Sequence, residues 1–122
     1  VIEEVGSGEV LDPEDSKLVT LARSAFSRGG GTPAAAVRDD MGRTYVAGSV
    51  DLPSLTLSAL QSVVAAAVSS GVRRLEVAAL ATSGELGELA DADRAVLADL
   101  GGCPVFLVDG QGGIGRTRVV AP

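Results

Sequence analysis

Histidine is absent from this sequence. Without it neither a Ser-His-Asp nor a Cys-His nucleophile system can be assembled, and the commonest zinc ligand is missing. Cysteine occurs once, as Cys103, so no intramolecular disulfide and no thiolate cluster can form. Nothing in that usage points to an oxidising compartment. Aromatic residues make up only 2% of the chain, which removes the stacking platforms that grip single-stranded nucleic acid. Basic residues are few and scattered, Arg73-Arg74 being the one adjacent pair, and the net charge is −6. A phosphate backbone needs clustered Lys and Arg, so nucleic acid is excluded as a direct partner. No run approaches the ~20 apolar residues that span a membrane. The start, VIEEVGSGEVLDPED, is acidic and lacks the basic region of a signal peptide. The expected compartment is therefore the cytoplasm, with no membrane partner. The excess of Arg over Lys, with abundant Ala, Gly and Val, points to a GC-rich bacterial genome.

What is present is small and apolar. Hydrophobic residues form 46% of 122 residues, enough for one domain with its own core. With so few rings, that core has to be built from Ala, Val and Leu at close backbone approach, a composition that suits helices laid on a sheet. Six of the sixteen acids fall within the first fifteen residues. Residues 1–11 accordingly read as a flexible acidic lead-in, and residues 12–122 as a single domain.

The stretch DPEDSKLVTLARSAFSRGGG carries helix signals at both ends. Asp12 is the N-cap, Pro13 suits the first helical position, and Glu14 and Asp15 favour the positive end of the dipole. Leu18, Leu21, Ala22, Ala25 and Phe26 recur at helical spacing before the glycines at 29–31 stop the helix. TPAAAVRDDMGRTYVAGSV reads as two strands around a turn at Asp39-Asp40-Met41-Gly42. Residues 55–70, LTLSALQSVVAAAVSS, predict a helix apolar on most sides and ended by Gly71, as for one buried at an interface as well as on a sheet. RLEVAALAT is a strand, and residues 86–100, LGELADADRAVLADL, predict an amphipathic helix. CPVFLVD is an almost wholly apolar strand of the kind buried on both faces. DGQGGIG is a turn rather than a phosphate loop, since no helix follows it, and RTRVVAP is a last strand. The link is too brief for a helical crossover, so that strand is expected to run antiparallel. The order α-β-β-α-β-α-β-β specifies an α/β fold with a mixed sheet.

Side chains with chemical potential are few. The carboxylate pairs Asp91/Asp93 and Glu85/Glu88 read as solvated faces that favour a helix start. Cys103 has no basic neighbour in sequence to depress its pKa and reads as a buried structural thiol. Ser58 and Ser62 share one helix face. With no base available, Ser58 is expected to bond to backbone rather than to act as a nucleophile.

Four phrases, in order, resemble the cytidine deaminase family and cover the chain from about Ser16 to Val120. LARSAF resembles the first-helix phrase of that family. AAAVRDDMGRTYVAGSVD resembles the hairpin that ends in G-x-N-V-E. LSALQSVVAAAVSSG resembles the helix that begins C-A-E-R or H-A-E and ends V-S-x-G. DADRAVLADLGGCPVFLVD resembles the stretch that starts in P-C-x-x-C-R-Q and runs on to P-V-x-L-V. The resemblance implies a three-layer α/β/α fold around a five-stranded mixed sheet. Zinc deaminases hold the metal by one His or Cys and two Cys, while a Glu outside the ligand set shuttles protons. On the resemblance, Ser58 stands at the first ligand position, Leu60 at the catalytic Glu, and Ala90 and Asp93 at the two cysteines. Ser49 and Asp51 stand where Asn and Glu hold the ribose, and the aromatic near the base falls at about Gly31. The loop between Asp51 and Ser58 is a few residues shorter than in the family.

These substitutions imply no catalytic residue, no metal ligand and no cofactor. The leading expectation is a zinc-free, non-catalytic cytidine deaminase-like protein that acts as an oligomeric interaction or regulatory module. Members of the family assemble as tetramers or dimers through the helix equivalent to residues 55–71. Leu60, Val63, Val64 and Ala67 are the expected homo-oligomer contacts, and an unidentified protein partner is a further expectation. The alternative is a metal-free nucleoside or nucleotide binder that uses Ser49, Asp51, Ser58 and Asp93. The third expectation, an active deaminase-type hydrolase, would require atypical ligands.

Overall fold

A computed structural model describes residues 2–6 and 8–122. In chain order the elements are β1 (Glu3–Glu4), α1 (Pro13–Arg28), β2 (Ala34–Asp39), β3 (Thr44–Gly48), β4 (Val50–Leu52), β5 (Leu55–Leu57), α2 (Ala59–Ser69), β6 (Leu75–Ala81), α3 (Asp91–Asp99), β7 (Gly102–Val108) and β8 (Ile114–Val120). The main sheet runs β1-β8-β7-β6-β2-β3. Among the described residues only β6 and β7 pair in parallel, joined by the crossover through α3, and β8 returns antiparallel to β7 as its short link requires.

Two apolar clusters mark the two faces of this sheet. Leu18, Val19 and Ala22 of α1 pack on Ala36, Val77, Ala79, Ala81, Phe106 and Val108. On the other face Leu60, Val63 and Ala67 of α2 and Leu97 of α3 pack on Ala35, Val37, Ala78, Val105 and Leu107. The result is three layers, with β2 buried along its whole length as a strand covered on both sides. Alanines on β2 and β6 let the helices lie close, which fills the core without rings.

Helix α1 starts as its sequence dictates: Asp12 accepts a hydrogen bond from the Glu14 amide, and Pro13 opens the first turn. Two hairpin turns are built alike. Asp39 accepts from the amides of Met41 and Arg43, and Asp109 from those of Gln111 and Gly113. In each, a glycine three residues on takes positive φ, 83° at Gly42 and 86° at Gly112. Asp39 is fully buried, and burial pushes its pKa up. The bonds from the Arg43 amide and side chain and the Met41 amide outweigh that and hold the carboxyl below the usual range.

The structure corrects the sequence reading in three places. The sheet has six strands rather than five, because Glu3 and Glu4 of the lead-in pair with Arg116 and Gly115 of β8; Val1 and Ser7 of that lead-in lie outside the described residues. Residues 55–57 are not helical. They pair with residues 50–52 as a separate two-stranded hairpin across Pro53-Ser54, so the helix begins at Ala59. Residues 86–90 belong to a loop, and α3 begins only at Asp91. In both helices the apolar residues ahead of the true start extended the apparent periodicity beyond the capping position.

Candidate functional site

The N-termini of α2 and α3 meet. Ser58 is the N-cap of α2, its hydroxyl accepting from the Gln61 amide at 3.0 Å while the Gln61 side chain accepts from the Ser58 amide at 2.9 Å. This reciprocal pair is a capping box. The same Ser58 hydroxyl donates to Oδ1 of Asp93 at 2.5 Å, across 35 residues of sequence. Asp93 lies in the first turn of α3 and is only 7% exposed. A carboxylate there is favoured by the positive end of the α3 dipole and by the hydroxyl of α2. Asp93 is therefore not the solvated helix-start acid that its pairing with Asp91 suggests; Asp91 is exposed, and Asp93 joins two helices.

Ala90 is the N-cap of α3 and supplies no side-chain bond to it. Leu60, the second residue of α2, is fully buried in one cluster with Val63, Ala67, Val37 and Leu97. Ser49 and Asp51 lie on the surface, Asp51 on β4 of the short hairpin. So the structure brings Ser58, Ala90 and Asp93 to one joint, while Leu60 belongs to the core and Ser49 and Asp51 stand apart. The shorter loop before Ser58 is accounted for by the tight β4–β5 hairpin.

Beside the joint, at the C-terminal ends of β6 and β7, is a cavity of about 220 Å³. Leu80, Leu107 and Val108 form its apolar side, and Glu85, Glu88 and Asp93 its carboxylates. Ala90 lines it as well, but Ser49, Asp51, Ser58 and Leu60 do not. No lysine or arginine lines it, though Arg94 reaches Glu88 at 3.1 Å.

The family's metal does not fit this donor set. Ser58 offers a hydroxyl already engaged by Gln61 and Asp93, Ala90 offers a methyl group, and Asp93 is the one anionic ligand of the three. Among the described residues no group of three or more His, Cys, Asp or Glu is arranged to hold a metal. Cys103 is of no help. It lies buried on β7, where desolvation, slightly offset by Arg118, pushes its pKa up to about 11.

The oligomer contacts expected from sequence require a further correction. Leu60, Val63 and Ala67 are each fully buried within the single chain, and Val64 is half-buried. They form the inner stripe of α2, at i, i+3 and i+7. The outer stripe, with Ala65 and Val68, faces solvent, Val68 at 47% exposure. Sequence reading missed Gln61 and the Ser58–Asp93 link. The S-x-x-Q spacing was a legible signal for the first, whereas nothing local announces the second.

The chain is thus a three-layer α/β/α domain in which two helix N-termini meet beside the C-terminal ends of the parallel strands β6 and β7. A family model described as cytidine deaminase-like matches residues 11–112, and the chain belongs to that family. Among solved structures it is similar to cytidine deaminase from Burkholderia pseudomallei, with a TM-score of 0.75 and 19% identity over 85% of this chain and 91% of that one. Cytidine deaminase from Mycobacterium leprae gives a TM-score of 0.64 and 18% identity over 88% and 95% of the two chains. A single-residue mutant of cytidine deaminase from Mycobacterium tuberculosis gives 0.60 and 25% identity over 79% and 85%. No curated protein sequence matches the chain. Among the described residues no helix is long and apolar enough to cross a membrane.

Proposed function

We propose that this chain is a cytidine deaminase-like protein without deaminase chemistry, acting as a homo-oligomeric interaction or regulatory module. The observation that carries this reading is the Ser58–Asp93 hydrogen bond. Two of the positions that the family resemblance assigns to zinc ligands are bonded to each other, the third is Ala90, and the acid/base position is Leu60, sealed in the core. Leucine holds no proton, and the frame around these positions is otherwise complete. Fold likeness alone says nothing about activity, which belongs to the site.

The interaction part rests on the surface. Val68 of α2 and Leu52 and Leu55 of the β4–β5 hairpin are large apolar side chains, each about half exposed or more. The outer face of α2 is the proposed contact, in place of the inner residues named from sequence. Of the residues named for the nucleoside or nucleotide alternative, Asp93 alone lines the cavity. Ser49 and Asp51 are not among its lining residues, and the charged lining of that cavity is acidic, which repels phosphate.

Sedimentation velocity at micromolar concentration tests the assembly. The expected result is a dimer or tetramer that Val68→Glu converts to monomer with unchanged circular dichroism. A monomeric parent protein would remove the oligomeric part of the reading.

A further inference from the structure

We infer that the N-terminal strand is a charge-latched strap that holds the outer wall of the acidic cavity in place. The inference does not depend on the proposed function. It begins with alternation along β1, whose successive side chains point to opposite faces of the sheet. Glu3 pairs in register with Arg116, and on that face its carboxylate accepts from Arg116 Nε and Nη2 at 3.1 and 2.9 Å. Glu9 closes a second ion pair on the same guanidinium. The Val5 amide extends the strand contact by donating to the Ile114 carbonyl at 2.8 Å.

The opposite face of β1 does different work. Glu4 is in register with Gly115, and Gly115 with Leu107 of the cavity wall. Gly115 is buried, and the space where its Cβ would stand is taken from two directions. A Cβ there would lie 2.8 Å from Cγ2 of Ile2 and 3.2 Å from Cδ1 of Leu86. Ile2 of the strap and Leu86 of the 82–90 loop thus close over one glycine, both packed on the α2/α3 cluster. Leu86 lines the cavity together with its neighbours Glu85, Gly87, Glu88 and Leu89. That loop has no regular secondary structure between β6 and α3, so the apolar seat over Gly115 that Leu86 shares with Ile2 helps to hold it down.

The latch is releasable because of how it is built. The β1 ladder is two residues long. Its ion pairs are at the surface, with Arg116, Glu3 and Glu9 side chains 34%, 70% and 36% exposed. Exposed pairs of this kind are individually weak and screened by salt. Undocking the strap lifts Ile2 from its place beside Leu86 over Gly115 and loosens the cavity wall on that side.

The test uses methyl-labelled protein and the relaxation enhancement produced by a small neutral nitroxide in solution. In Arg116→Gln, the Ile2, Leu86 and Leu89 methyls are expected to gain enhancement severalfold, while the fully buried Val63 and Leu97 methyls stay shielded and report an intact fold. Ile2→Ala, which leaves the ion pairs in place, is expected to expose Leu86 alike. Raising sodium chloride on the unaltered chain is expected to act in the same direction and requires no variant. Release of Ile2 with Leu86 and Leu89 unchanged would overturn the coupling of strap to cavity. Ile2 still shielded in Arg116→Gln and at high salt would overturn the latch.

Discussion

Leu60→Glu, which would return to this chain the residue type that deaminases use as acid/base, is expected to destabilise the fold and to restore no chemistry. The Leu60 side chain is fully buried in the cluster under α2. A carboxylate placed there has no cationic partner among the residues of that cluster. Burying it unpaired costs several kcal/mol, so a loss of about 4 kcal/mol or more is expected against a total of roughly 5–15 kcal/mol for a domain. Leu60→Ala is expected to cost about 3 kcal/mol from the cavity alone, and Leu60→Met less than about 1.5 kcal/mol. The glutamate penalty has a signature in pH. Burial raises the pKa of a carboxyl above its unfolded value of about 4.3, so the unfolded state releases the proton first. Stability is then lost progressively as pH rises through that range, and the deficit relative to the parent is smaller at pH 4 than at pH 8. Urea denaturation at the two pH values checks both statements. A Leu60→Glu variant as stable as the parent at pH 8 would mean that this position opens to solvent or to a site.

The second large effect concerns the joint between helices. Ser58→Ala removes the cap of α2 and strips buried Asp93 of its bonded hydroxyl. A lost cap costs about 1 kcal/mol, and a lost hydrogen bond to a charged group about 1.5–3 kcal/mol. The sum expected is about 3 kcal/mol. Asp93→Ala is expected to cost about 2 kcal/mol, because the Ser58 hydroxyl keeps its bond to the Gln61 amide. The double variant should fall short of additivity by about 1–2 kcal/mol, as for directly bonded residues. Equilibrium denaturation of the four proteins gives this coupling. Additivity within about 0.3 kcal/mol would show that the two side chains do not act on each other, and the joint would lose its meaning as a closed site.

Much of the frame was legible because local rules and global fold agree in it. Asp12-Pro13 opens α1 as capping chemistry predicts, Asp39 and Gly42 make the hairpin turn, and the apolar run 103–108 is the doubly covered strand it resembles. The failures occurred where local pattern carried two meanings. Leu55 and Leu57 extend the run expected to form a helix apolar on most sides, yet they alternate with Thr56 on a strand that pairs across Pro53-Ser54. The Ser58-x-x-Gln61 box marks the true helix start. β1 escaped notice because a two-residue strand in an acidic stretch has no periodicity, and its partner β8 lies far along the chain.

The site was legible by what it lacked and opaque in what it had gained. The absence of histidine and the single cysteine are visible without any structure. That Ser58 and Asp93 would bond to each other depends on the packing of α2 against α3, which no local rule encodes. The inner and outer stripes of α2 were likewise indistinguishable in sequence, since Val63, Val64 and Val68 are the same residue. Only the sheet beneath decides which of them is covered.

The most direct test of the central claim is a native mass spectrum of the untagged protein, incubated with excess zinc and then desalted. The account predicts an oligomer whose mass equals its polypeptide alone, because Ser58, Ala90 and Asp93 do not make a zinc site. A mass that retains one zinc per chain would contradict it and return the protein to the metal-dependent deaminases.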